Sequence, residues 1–190
     1  MRGRAATPAR ADDRYDIFNF NKLFSSSNAG YSSGYVGSTS PIGRQMASID
    51  PKYAPGTIVI STSERRLYYV TSRGQAIRYG IGVGRQGFQW SGVKTVSAKK
   101  EWPSWTPGAT ARKMVPSLPG VVPGGPNSPL GARGIYLYDE NGRDTEYRIH
   151  GTNEPEMIGQ PVSLGCIRMY NIDAIDLYNR VKVGSKVVVR

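Results

Sequence analysis

The chain holds one cysteine, Cys166, and one histidine, His150, and these side chains are the best suited to nucleophilic chemistry. A thiol attacks as its thiolate, and a neighbouring imidazole can lower the thiol pKa and take up its proton. A lone cysteine cannot form an internal disulfide, so it is a buried apolar residue, an intermolecular partner or a reactive thiol. From these two residues alone, a catalytic pair and a buried structural cysteine both stay open.

The four residues Ser163-Leu164-Gly165-Cys166 have the composition of a tight turn. Gly165 permits a backbone geometry that other residues resist. The amides of Leu164, Gly165 and Cys166 could then point together toward a developing oxyanion. Ser163 could hold the turn through its hydroxyl, and Arg168 could anchor a substrate carboxylate through two hydrogen bonds. Taken singly, Ser163 and Arg168 fit an ordinary turn residue and a surface cation.

No metal site or cofactor is predicted. One Cys and one His fall short of the four ligands of a typical structural zinc site, and a mixed site with carboxylates is the minor alternative.

The elements that must position these residues are mainly strands. Segments rich in β-branched and aromatic residues predict strands over 57–62, 66–71, 75–84, 93–102, 134–138 and 146–151, with a closing strand at 185–190. A turn at Asn141-Gly142 separates two of them. One helix is predicted near the end, capped by Asn171, stopped by Gly184, and burying Ile172, Ile175, Tyr178 and Val181. The predicted class is mainly β, with one C-terminal helix packed on a sheet.

Residues 103–131 hold seven of the thirteen prolines and predict a long ordered loop. Such a density of Pro and Gly disfavours both a helix interior and a central strand. Because long connections are usually functional or disordered, we expect this loop to shape a groove.

The first fifty residues predict a flexible tail, and residues 51–190 a single catalytic domain. The stretch 25–43 is mostly Ser, Gly, Asn and Thr, and the aromatic segment 15–24 precedes it. No apolar run is long enough to span a bilayer, and the chain does not start with a secretory pattern. If the protein is exported, we expect its signal peptide to be absent from this chain.

A net charge of +11 fits either an ordinary soluble basic surface or an acidic partner. Nucleic acid is disfavoured, because no zinc-ligand set, recognition-helix pattern or clustered basic stripe is present. A cell wall rich in peptide carboxylates is equally compatible with this charge.

Three ordered motifs resemble the signature of the YkuD-type L,D-transpeptidases of bacterial peptidoglycan. They are His150-Gly151-Thr152-Asn153, Ile158-Gly159, and Ser163-Leu164-Gly165-Cys166-Ile167-Arg168-Met169. The segments 60–70, 79–85 and 127–138 are also similar to family segments, so the resemblance covers roughly 55–189. It implies a β-sandwich or barrel-like sheet that carries the active cysteine at one end.

The resemblance also implies an activity. Cys166 would attack the carbonyl of the third residue of a stem tetrapeptide, an L centre, and expel the terminal D-alanine. His150 would act as the base, with the Gly151 carbonyl fixing its tautomer. The thioester would pass to an amine of a second stem or of an outer-membrane or wall-attached protein. Water as acceptor would give a carboxypeptidase or a protein-releasing hydrolase, and a non-catalytic wall-binding module would not need the Cys–His pair.

Two departures from the family pattern bear on the site. Many members carry His where this chain has Leu164, and we expect Leu164 to act through its backbone amide. Many members carry a Thr-Pro-x-Gly turn where this chain has Trp90-Ser91-Gly92-Val93, which we expect to alter one wall of the groove. The family resemblance further implies acylation of Cys166 by carbapenems and a periplasmic or cell-wall location.

Overall fold

The computed structural model describes Ser40 and residues 42–190. Strands in this part of the chain are β1 Gln45–Ser48, β2 Ile58–Ser61, β3 Arg66–Ser72, β4 Gln75–Gly80, β5 Val83–Gly84, β6 Gly92–Glu101, β7 Arg133–Tyr138, β8 Asp144–His150, β9 Pro161–Ser163, β10 Ile167–Arg168 and β11 Lys186–Val189. The α-helices are α1 Ala109–Met114 and α2 Asn171–Arg180, and Pro155–Met157 forms a 3₁₀ helix.

Local hairpins build most of the main sheet. Its strand order is β1-β4-β3-β2-β11-β6-β7-β8-β10, and β5 and β9 form a separate parallel pair. The antiparallel pairs β2–β3 and β7–β8 follow from the polar turns between alternating apolar segments. Two long-range parallel pairs, β11 with β2 and β10 with β8, complete the sheet. The predicted mainly β class is confirmed.

The main core lies between the inward faces of these strands and α2. Ile58, Leu67, Ile135 and Leu177 are each at most 1% exposed. Burial of such a side chain contributes about 1.5–3 kcal/mol. The sheet and helix therefore hold the ends of β8 and β10, where the candidate site lies, on a rigid base.

Helix α2 buries a face that matches the predicted one only in part. Of the four predicted residues, Val181 is buried just after the helix end and Tyr178 packs against the core, whereas Ile172 and Ile175 are only partly buried and Ala174 and Leu177 take the core positions. The predicted positions advance by three residues at a time and so drift around the helix. Spacings of three and four, as between Ala174, Leu177 and Val181, keep to one face.

Two other segments also differ from prediction. The predicted tail ended at residue 50, whereas Gln45–Ser48 already forms a strand that pairs with β4 and covers its edge. Residues 1–39 and 41, with the aromatic segment 15–24, lie outside the described residues. The proline-rich loop 103–131 contains the short helix α1, because its prolines flank residues 109–114 rather than interrupt them.

This loop has its own small apolar cluster. Trp105, Leu118, Val122 and Leu130 are buried together, and Leu164 packs against them. The loop is thus fastened to the turn that carries Cys166.

Candidate active site

Parallel pairing of β8 and β10 brings the segments of the two predicted catalytic residues side by side. Ile167 lies opposite Ile149, and Arg168 lies opposite His150. His150 is the last residue of β8, and Cys166 directly precedes β10. The 3₁₀ helix and β9 connect the two strands in sequence, and the strand pairing brings their ends together in space.

The turn before Cys166 is held by one buried hydroxyl. Ser163 Oγ donates to the Cys166 carbonyl over 2.6 Å and accepts from the Gly165 N–H over 3.1 Å. Gly165 has a φ of 113°, a region that favours glycine. Among the described residues, the N–H groups of Leu164 and Cys166 have no hydrogen-bond acceptor. Two of the three expected amides are therefore available to an oxyanion, while that of Gly165 serves the turn.

The orientation of His150 follows from its neighbour's carbonyl. The ring Nδ1 lies 2.5 Å from the Gly151 oxygen. Because a carbonyl only accepts, Nδ1 carries the proton and Nε2 keeps a lone pair. This is the tautomer required of a base that takes a proton through Nε2.

Asn171, expected to cap α2, instead fixes the segment after His150. No side-chain cap bond is present at the helix start. The Asn171 Oδ1 accepts from the N–H groups of Ala132 and Thr152, both at 3.0 Å, and the Asn171 Nδ2 donates to the Thr152 carbonyl over 2.9 Å. Sequence reasoning missed this role, since a polar residue at a helix start ordinarily indicates a cap.

Burial keeps both members of the pair neutral. It lowers the pKa of His150 to about 3, and the positive charge of Arg168 acts in the same direction. Burial also raises the pKa of the Cys166 thiol, opposed by the Arg148 backbone N–H and the charges of Arg148 and Arg168. The structure therefore departs from the expected thiolate, because desolvation penalises each charged form.

In this state the thiol contacts β8 upstream of His150. Cys166 Sγ donates to the Glu146 carbonyl over 3.8 Å, and no hydrogen bond joins it to the imidazole within the described residues. Glu146 has a φ of 60°, an uncommon value for a residue with a side chain, at a bulge where β8 loses register with β7. Catalytic hydrogen bonds are often unformed before substrate binds.

Arg168 lies in the interior rather than in the groove. It is 2% exposed, and its guanidinium contacts the buried carboxylate of Glu154 at 3.1 Å. Arg168 was expected to contact a substrate carboxylate, but in the structure it contacts the internal carboxylate of Glu154. This placement favours a positioning role beneath His150. Sequence reasoning missed Glu154, which carries no local signal of burial.

Cys166 opens into a groove of about 590 Å³. The proline-rich loop supplies one wall, and the segment 144–148 supplies another. Charged side chains in the lining include Lys100, Glu146 and Arg148, and Arg148 is already paired with Asp144 at 2.7 and 2.8 Å. The loop's predicted part in shaping a groove agrees with this geometry.

Two further absences hold for the residues that the structure describes. They contain no group of three or more His, Cys, Asp and Glu side chains that could hold a metal ion. None of their helices is long and apolar enough to cross a membrane.

A lone thiol on a glycine turn, with an oriented histidine at the end of the neighbouring strand of a mainly β scaffold, fits a thiol-dependent acyl-transfer site. Residues 55–189 match the L,D-transpeptidase catalytic domain, YkuD, and the chain belongs to this family. It is 41% identical over 139 residues to the probable L,D-transpeptidase ErfK/SrfK of Escherichia coli, covering 68% of this chain and 42% of that protein. It is 40% identical to the probable L,D-transpeptidase YbiS of the same species, covering 68% of this chain and 43% of that one.

The chain thus spans less than half the length of these curated relatives. Among solved structures, it resembles a Brucella melitensis protein named a probable carnitine operon oxidoreductase, with 43% identity, a TM-score of 0.54, and coverage of 83% of this chain and 99% of that one. It also has the fold of L,D-transpeptidase 3 from Mycobacterium tuberculosis, with 18% identity, a TM-score of 0.54, and coverage of 70% and 60%.

Proposed function

We propose that this chain is a peptidoglycan L,D-transpeptidase that works through a thioester on Cys166. The observation that carries the proposal is the single thiol of the chain in the lining of the groove, on a turn with two free amides next to the strand that ends at the oriented His150. Membership of the L,D-transpeptidase family supports a peptidoglycan substrate, and we take the acyl donor to be a stem tetrapeptide with an L centre at its third residue.

Acylation begins with both groups neutral. As Sγ forms its bond to the stem carbonyl carbon, the thiol proton passes to Nε2 of His150. The carbonyl oxygen becomes an oxyanion, which the N–H groups of Leu164 and Cys166 can stabilise. The intermediate then collapses, the bond to the terminal D-alanine breaks, and the imidazolium returns its proton to the leaving amine.

Transfer reverses these steps with a second amine. The amine nitrogen attacks the thioester carbon, His150 takes a proton from it, and the sulfur leaves and regains a proton. Amines of a second stem or of a wall-attached protein are the expected acceptors. Water in their place would give an L,D-carboxypeptidase.

We assign the substrate carboxylate to Lys100 in place of Arg168. Lys100 is exposed on the groove wall, with its ammonium 5.2 Å from the centre of the Tyr136 ring. No carboxylate among the described residues pairs with it. A stem peptide brings several carboxylates into the groove, and a solvated ammonium is a suitable point charge for one of them.

An extracytoplasmic location at the cell wall follows from this substrate. The positive net charge of the chain suits the carboxylate-rich polymer.

The test uses purified sacculi and mass spectrometry of the released muropeptides. Dimers joined through the third residues of two stems support transpeptidation, trimmed tripeptides alone would assign a carboxypeptidase, and stems bearing a protein fragment would assign protein attachment. Cys166→Ala and His150→Ala should each lower turnover by at least about a thousandfold, and the double variant should be no worse than either. Turnover by Cys166→Ala near the wild-type rate would contradict the mechanism.

A further inference from the structure

Trp90 lies against the turn that carries the nucleophile. Its indole Nε1–H donates to the Gly165 carbonyl over 2.9 Å. The same ring stacks on Tyr147, with centroids 4.6 Å apart and planes inclined by 7°. Both rings pack against the main core, so this hydrogen bond rests on a rigid support.

The space around Gly165 is closed on this side. A Cβ atom there would lie 2.6 Å from Cε1 of Tyr147 and 3.3 Å from the Phe88 carbonyl oxygen. The segment that leads to Trp90 is itself tied to the turn, because the Arg85 N–H donates to the Ser163 carbonyl over 2.9 Å. The turn therefore has little freedom to move toward Trp90.

The Gly165 carbonyl and the Cys166 N–H belong to one planar peptide unit. In a trans peptide these two groups point in opposite directions. A donor that fixes the carbonyl therefore also fixes the direction of the N–H, and it polarises the amide so that the N–H becomes a stronger donor. The Cys166 N–H is one of the two amides that have no acceptor among the described residues.

From this geometry we infer that Trp90 is a positioning residue for catalysis, acting through the Cys166 amide on the oxyanion. The inference rests on the proposed function and adds a role at a position where the chain departs from the usual family pattern. Trp90 is not part of the groove lining, so it acts on the rate of acylation rather than on substrate binding.

The kinetic test compares Trp90→Phe with wild type. Phenylalanine keeps an aromatic ring for Tyr147 but removes the N–H. With a carbapenem as acyl donor, the limiting acylation rate should fall about tenfold, while the dissociation constant of the non-covalent complex stays within about twofold. The matched control is Tyr69→Phe, which removes another aromatic donor to a backbone carbonyl, the 3.1 Å bond from Tyr69 to Arg180, and should leave both constants unchanged.

A second readout does not depend on activity. Because the chain has one cysteine, protein labelled with ¹⁵N-cysteine gives a single amide signal, that of Cys166. The nitrogen shift of an amide responds to a hydrogen bond on the preceding carbonyl. Trp90→Phe should move this signal, and Tyr69→Phe should leave it in place.

The outcomes separate the two proposals. Failure of wild type to form a Cys166 acyl-enzyme would overturn the proposed function, while the Cys166 amide shift would still show whether the Trp90 hydrogen bond acts on that amide. Unchanged acylation in Trp90→Phe, or an unmoved Cys166 signal, would overturn the inference. If Trp90→Phe does not fold, benzothienylalanine at position 90, which has sulfur in place of the indole N–H, preserves the bicyclic ring and gives the same decision.

Discussion

Folding stability should depend on pH through His150, the only histidine of the chain. Burial first, and Arg168 second, lower its pKa from 6.5 to about 3. Between these values the unfolded chain binds a proton that the folded protein does not. The free energy of unfolding is therefore unaffected by His150 above pH 6.5 and decreases as the pH falls toward 3. This is the direction expected when folding keeps a base neutral.

The magnitude follows from the two pKa values. At pH 5 the unfolded imidazole is almost fully protonated and the folded one is not, so His150 lowers the free energy of unfolding by about 2 kcal/mol relative to pH 8. Urea denaturation at pH 8, 7, 6 and 5 measures this change.

His150→Gln is the control, because glutamine does not titrate, whatever its effect on absolute stability. The loss between pH 8 and pH 5 should be about 2 kcal/mol smaller in this variant than in wild type. Parallel pH dependences in the two proteins would refute the reasoning. So would a His150 imidazole NMR signal that titrates near the ordinary value.

The remaining predictions concern the turn, the buried ion pair and the thiol. Ser163→Ala leaves the buried Gly165 N–H without its acceptor, so thermal unfolding should show a loss of about 1–3 kcal/mol together with slower acylation. Arg168→Met should cost about 3–5 kcal/mol in urea denaturation, and adding Glu154→Gln should recover part of it; a fully additive double variant would contradict the pairing. A carbapenem should add one adduct per chain by intact-protein mass spectrometry, on the peptide with Cys166. Its second-order rate should show no inflection near pH 6.5, whereas an inflection there would indicate a preformed thiolate–imidazolium pair.

Features that depend on local spacing were predictable from the sequence. Alternating apolar residues gave the hairpin strands, and the turn residues around Gly165 indicated where the thiol would be presented. The Gly151 carbonyl was expected beside His150, and the structure places it at Nδ1. That expectation came from the family resemblance, and the contact itself is between neighbours in sequence.

Contacts made by long-range packing could not be predicted in this way. Trp90 and Gly165 are 75 positions apart, and nothing in either segment encodes their hydrogen bond. Arg168 was expected in the groove because an arginine beside a nucleophile is commonly a substrate anchor. Its depth is set by the parallel pairing of β10 with β8, which turns the side chain toward Glu154 in the interior.

In the mechanism proposed above, burial first and the charge of Arg168 second keep His150 a weak base until the substrate carbonyl is attacked. In the resting protein that charge and the burial of the ring disfavour protonated His150, so the thiol keeps its proton. Formation of the S–C bond places a negative oxyanion beside the amides of the turn, and this new charge offsets the effect of Arg168 on the imidazole. Proton transfer then becomes favourable only as the substrate carbonyl is attacked. On this proposal the thiol of the unoccupied site stays neutral, and attack on the substrate carbonyl supplies the negative charge that makes proton transfer to His150 favourable.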